Sequence, residues 1–208
     1  VVALEFDQDL LKGLHRRFDG GANFKLVHGD IRTFNFTELP AGYKVVANIP
    51  YYLTSHLVQL LSETPNPPVC AVLLIQKEVA ERATANPGNM SLLSITTQFY
   101  WEACLGPLVP AELFTPPPKV DSQILILQRR AQQLFPDEEP KDFFRLVKAG
   151  FSQKRKTLLN SLSAGLNLDK SRTLALLETA GLAPTLRPQN LGLSDWHSLL
   201  RAQAAANR

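Results

Sequence analysis

Lys44-Val45-Val46-Ala47-Asn48-Ile49-Pro50-Tyr51 is the stretch that decides the fold. The short apolar run has the length and β-branched character of a strand. Pro50 ends it, because proline has no N–H to give a ladder and its ring pins φ. Beyond it, Leu57, Leu60 and Leu61 recur at helical spacing. The stretch therefore reads as strand, turn, helix. The turn also has a chemistry. The Asn48 side-chain oxygen can accept from an amino N–H. The Pro50 carbonyl is a second acceptor with no backbone donor beside it, and Tyr51 offers a flat face for stacking a base. The bland reading of the same residues is a strand followed by an Asn-Pro-type turn.

Outward from this stretch the pattern repeats. Val1–Glu5, Phe24–His28 and Cys70–Ile75 read as strands, and Asp7–Phe18, Lys77–Ala83 and Leu92–Phe99 as helices. After a proline-rich passage Gln123–Leu127 resumes β character. Such alternation predicts an α/β fold with a largely parallel, doubly wound sheet. Ligands of these sheets bind at the carboxyl ends of the strands. Glu5, Asp30 and Asn48 all stand at such ends. From about Gln132 the character changes. Pro136–Pro140 reads as a linker and the remainder as helices with apolar stripes, such as Phe144, Val147 and Phe151. The predicted domains are an α/β domain over 1–132 and a small all-helical domain over 133–208.

Composition sets the limits. The chain has 208 residues, 45% of them hydrophobic, and a net charge of +3, which fits a globular protein with its own core. No apolar run reaches membrane-spanning length and no leader segment is evident, so the expectation is a cytoplasmic protein. Cys70 and Cys104 are expected as buried free thiols, with no metal site. Between Lys141 and Lys156 six basic residues, Lys141, Arg145, Lys148, Lys154, Arg155 and Lys156, face one acid, Asp142, a local +5. A basic patch on a near-neutral body suggests a polyanionic partner. On one helix Lys141, Arg145 and Lys148 would share a face, whereas consecutive residues 154–156 would splay around it.

The acids point to a nucleotide. An acid closing a strand of a Rossmann-like domain can accept from both ribose hydroxyls, which suits Glu5. Asp30 can accept from an adenine amino group while Ile31 packs on the ring; its bland alternative is an Asx turn. Such a fold also expects a glycine-rich loop between its first strand and first helix. The chain has no GxGxG, and Gly20-Gly21 reads as a helix cap. Val1–Glu5 reads as a core strand already under way, so the loop is expected upstream of Val1.

Here the motifs become specific. Val2-Ala3-Leu4-Glu5-Phe6-Asp7, Gly29-Asp30, Asn48-Ile49-Pro50-Tyr51-Tyr52, Gln76–Arg82, Phe114-Thr115-Pro116-Pro117-Pro118-Lys119-Val120-Asp121-Ser122 and Phe151–Leu162 occur in this order. In them the chain resembles the KsgA family of S-adenosylmethionine-dependent small-subunit rRNA adenine dimethyltransferases. The proline string and Gln153-Lys154-Arg155-Lys156-Thr157 are more specific than the Asn-Ile-Pro-Tyr box. The related Erm enzymes share that box, usually vary the proline string, and act on large-subunit RNA.

The resemblance implies a Rossmann-like methyltransferase sheet, here lacking its first strand and glycine loop. It implies S-adenosylmethionine as cofactor, held by Glu5, Asp30, Ile31 and Asn48. It places the target amino group on Asn48 and Pro50, and the target base between Tyr51 and Phe114. The six basic residues would bind RNA, the partner would be small-subunit rRNA or the 30S particle, and the protein would act as a monomer in ribosome biogenesis. Two rival readings are a non-catalytic rRNA-binding assembly factor and an Erm-type enzyme.

Overall fold

A computed structural model of the chain describes residues 1–18, 21, 23–153 and 155–206. Strand β1 (Val2–Glu5) leads through helix α1 (Gln8–Phe18) to strand β2 (Lys25–His28), and the two strands pair in parallel. Asp7 starts α1 by accepting from the Asp9 N–H at 2.8 Å. His15, Arg16 and Arg17 close it, a charge order that suits the helix dipole. Strand β3 (Lys44–Asn48) crosses by helix α2 (Thr54–Glu63) to a second parallel partner, β4 (Cys70–Gln76). Helices α3 (Lys77–Ala83) and α4 (Leu92–Tyr100) precede strands β5 (Trp101–Val109) and β6 (Ser122–Arg129).

The larger sheet has the order β3-β4-β6-β5, and β6 runs antiparallel to both neighbours. The expectation of a largely parallel sheet is corrected to a mixed one. A parallel neighbour needs a long crossover, whereas β5 reaches β6 through a connection with only a short 3-10 turn (Ala111–Leu113). The sequence pattern predicts no strand where β5 lies. Gly106-Pro107 interrupts its alternation, and the register shifts between Leu105 and Leu108. An edge position tolerates both. The same edge corrects the cysteines: Cys104 lies exposed on β5 and Cys70 is half-buried.

Two apolar cores result. In the first, Ala71, Leu73 and Ile75 of β4 and Leu125 and Leu127 of β6 pack on Leu57, Val58 and Leu61 of α2. Trp101 lies in it, its indole N–H donating to Ser62 Oγ at 2.7 Å. The second belongs to helices α5 (Pro140–Phe151), α6 (Leu158–Leu166), α7 (Lys170–Thr179) and α8 (Leu193–Ala206). Pro140 stands in the first turn of α5, where a missing N–H costs nothing, and so ends the predicted linker. Gly181 follows α7 at φ +71°, a left-handed helix cap. A Cβ at Gly150 would overlap the Trp196 ring, so glycine there lets α5 and α8 approach closely.

The cores meet on α4. Met90, Ile95 and Phe99 are part of the helical core, although they precede β5 in the chain. The Phe99 ring centroid lies 4.8 Å from Phe143 and 5.0 Å from Phe144. Tyr100, the next residue, packs against both cores. The helical part is thus mounted directly on a helix of the α/β part.

Strands β1 and β2 form a two-stranded sheet of their own. The second edges of β1 and β3 have no partner strand among the described residues. Val46, in the middle of β3, is 82% exposed.

Candidate active site

The space between β1 and β3 is a cavity of about 530 Å³. Its walls include Glu5, Asp30, Ile31, Asn48 and Pro50. Residues far apart in sequence meet here because β1 and β3 both end at the same mouth, as parallel α/β topology dictates. Five of the seven residues named from sequence for the cofactor and the target base therefore share one cavity. Tyr51 and Phe114 do not line it.

Each acid already serves its own backbone. Glu5 Oε1 accepts from the Asp7 N–H at 2.8 Å, which fixes the carboxylate at the mouth. Asp30 makes the Asx turn, with Oδ1 accepting from the Arg32 N–H at 2.9 Å. The Arg32 guanidinium closes on both carboxylate oxygens, with Nε at 3.0 Å from Oδ1 and 2.9 Å from Oδ2. These hydrogen bonds hold the Asp30 carboxyl below the usual carboxylate range. Arg32 was not singled out from sequence. Its only signal there was a cation two residues after an acid in a turn.

The amide and proline are presented differently. Asn48 ends β3 exposed, and among the described residues its side-chain amide has no hydrogen-bond partner. The Pro50 carbonyl accepts from the Leu53 N–H at 2.9 Å, which leaves one of its two lone pairs. Ile49 between them is buried and anchors the turn. The two tyrosines then part. Tyr52 is 81% exposed and lines the cavity. Tyr51 turns inward, its hydroxyl 2.8 Å from Ser122 Oγ. Phe114 caps the 3-10 turn of Ala111–Leu113 and is half-buried.

The basic residues divide between helix and loop. Lys141, Arg145 and Lys148 share the exposed side of α5, and Arg145 reaches Asp142 at 3.3 Å. Arg155 and Lys156 are exposed, but they lie in the connection between α5 and α6. The expected splay around a helix is thus corrected. Helix α5 stops at Phe151, where the Ser152 hydroxyl donates to the Ala149 carbonyl at 2.7 Å and competes with the helix ladder. Lys154 and Gly20 lie outside the described residues. Lys77 and Glu81 form an exposed i,i+4 pair at 4.0 Å, the ordinary behaviour of a solvated helix face.

The fold with this strand-end cavity is that of the Rossmann-like methyltransferases. A dimethyladenosine transferase from Plasmodium falciparum has the same fold at a TM-score of 0.80, with 27% identity over 100% of this chain and 82% of its own. The 23S rRNA methyltransferase ErmE matches at 0.75, with 28% identity over 97% of this chain and 81% of its own. The family model of the ribosomal RNA adenine dimethylases matches residues 1–202, and the chain belongs to that family. A similar protein is the ribosomal RNA small subunit methyltransferase A of Dehalococcoides mccartyi strain CBDB1. It is 39% identical over 96% of this chain and 69% of its own length.

Proposed function

We propose that this chain uses S-adenosylmethionine to dimethylate N6 of two adjacent adenosines near the 3′ end of small-subunit rRNA. It would act as a cytoplasmic monomer during ribosome biogenesis. The observation that carries the reading is the meeting of Glu5, Asp30, Asn48 and Pro50 around one cavity at the strand ends. The name and identity of the Dehalococcoides relative favour the small subunit as substrate. Among the described residues no helix is long and apolar enough to cross a membrane.

The cavity suits the cofactor. Glu5 keeps Oε2 for ribose hydroxyls, Ile31 supplies an apolar wall, and Asp30 is the acceptor for an adenine amino group once Arg32 yields. The cofactor takes only the strand-end rim of this space, beside Glu5, Asp30 and Asn48. Deeper in, between the unpaired edges of β1 and β3, we place the expected further strand with its glycine loop. The bound cofactor supplies an electrophilic sulfonium methyl, so no covalent enzyme intermediate is needed. The difficulty lies in adenine N6, whose lone pair is shared with the ring. Asn48 and the Pro50 carbonyl accept its N–H groups and aim that lone pair. This is positioning plus electrostatic work, about a few kcal/mol. The base must first leave its stack, which is cheapest in a single-stranded loop. Residues 1–132 carry the transfer and 133–208 hold RNA.

S-adenosylmethionine titrated into the chain alone should bind weakly. Extending the chain upstream with the corresponding segment of a relative should tighten binding at least ~10-fold. Equal binding with and without that segment removes the glycine-loop placement. The extended protein, given purified small and large ribosomal subunits side by side, should label the small one. Label in the large subunit alone would establish the Erm-type reading, which the likeness to ErmE raises. Label in neither, with RNA still bound, would establish the non-catalytic one. Asn48→Ala should abolish labelling with an unchanged melting temperature, because its exposed side chain supports nothing in the fold.

A further inference from the structure

The proline string ends in Asp121-Ser122; Ser122 touches the box, and Asp121 touches the turn that carries Phe114. Ser122 is fully buried, and its Oγ lies 2.8 Å from the Tyr51 hydroxyl across 71 residues of sequence. Asp121 Oδ1 accepts from the Ala111 N–H at 3.0 Å. Ala111 begins the short turn that Phe114 ends, with the Phe114 N–H donating to the Ala111 carbonyl at 3.2 Å. The Asp121 carbonyl accepts from the Lys77 N–H at 3.0 Å, which ties the pair to the end of β4. Two consecutive residues at the head of β6 therefore hold the tyrosine on one side and the phenylalanine loop on the other.

We propose that Asp121 and Ser122 are positioning residues that set the spacing and tilt of the two aromatic walls of the target-base site. The proposal rests on reading Tyr51 and Phe114 as those walls. A tyrosine ring that only packs keeps freedom about χ1 and χ2. Tying its hydroxyl to a buried side chain on a sheet removes that freedom before the base arrives, so less ordering is left for binding. A strand head is a rigid mount: Ser122 opens β6 and Asp121 directly precedes it, each bonded to a different element. One dipeptide can thus brace groups on two sides. The arrangement also explains why an Asp-Ser pair should end a string of prolines. The prolines stiffen the connection and the pair anchors it.

The test uses a single-stranded RNA with one 8-azaadenosine, a fluorescent adenosine that keeps its 6-amino group, flanked by uridines, which stack weakly and leave the probe bright. The wild-type chain should quench it as the base enters between the rings. Ser122→Ala and Tyr51→Phe should each reduce the quench at least ~3-fold while RNA affinity stays within ~2-fold. The double variant should be no worse than either single one, since both remove the same bond. Ser122→Thr, which keeps the hydroxyl, should restore the quench. Asp121→Ala should reduce it, and Asp121→Asn, which keeps an acceptor oxygen, should not. Undiminished quench in Ser122→Ala and Tyr51→Phe overturns the brace and leaves the aromatic walls standing. A wild-type chain that binds the RNA and leaves the probe bright overturns the walls, and the brace with them.

Discussion

Asp30 and Asn48 occupy equivalent places at strand ends and behave oppositely. Asp30 is held by Arg32 through its own turn, whereas among the described residues the exposed Asn48 side chain has no hydrogen-bond partner. A carboxylate attracts the nearest cation wherever the chain can bend to bring one. A neutral amide gains too little from such a pair to hold it. The residue beneath this site, Tyr43, makes a separate prediction. Its hydroxyl donates to the Asn66 carbonyl at 2.9 Å, and the Asn66 amide donates onward to the Phe36 and Leu39 carbonyls. Burial pushes the Tyr43 hydroxyl up to about 12. A proton held more tightly in the folded state gives stability that is complete below the unfolded value near 10. That stability is lost as pH rises toward 12. Denaturant midpoints should therefore hold to pH 10 and fall between 10 and 12. Tyr43→Phe should cost about 1 kcal/mol at neutral pH and reduce that fall. An unaltered alkaline limb would assign the loss elsewhere, Tyr100 being another hydroxyl raised by burial.

At the scale of elements, helix α5 shows how one segment divides its labour. Phe143, Leu146 and Val147 are buried, while Lys141, Arg145 and Lys148 face out. The 3.6-residue period lets a single sequence supply both a core stripe and a charged one. An outward stripe with one ion pair is the surface expected to track phosphates. Replacing Lys148 and Arg155 by Glu should weaken RNA binding. It should also flatten the dependence of log K on log salt by about 0.7 for each phosphate no longer neutralised. An unchanged slope would return these residues to the solvent. Strand β5 is the element that sequence patterning could not find. Its glycine, proline and bulge erase the alternation that marks a strand, and only the β6 ladder beside it makes the conformation worth adopting.

Across the whole molecule, α4 joins the two cores. Phe99 is buried against Phe143 and Phe144, with Tyr100 beside it facing both cores. Phe99→Ala should leave a cavity at this joint and cost about 3–5 kcal/mol. Because the cores share the helix, unfolding should remain one transition in calorimetry. Two separated transitions in the wild-type chain would show that the parts fold independently.

The sequence by itself determined the strand-turn-helix of residues 44–61, the alternation that makes the fold α/β, the helices after Pro140, and the strand-end places of Glu5, Asp30 and Asn48. These follow from local rules: hydrophobic period and proline's missing donor. Only the tertiary structure decided that β6 runs antiparallel, that α4 belongs to both cores, that Arg32 closes on Asp30, and that Tyr51 turns to Ser122 while Tyr52 faces the cavity. Each of these depends on which distant residue a side chain meets. A one-dimensional pattern states what a residue would accept as a partner, and packing alone settles which partner it receives.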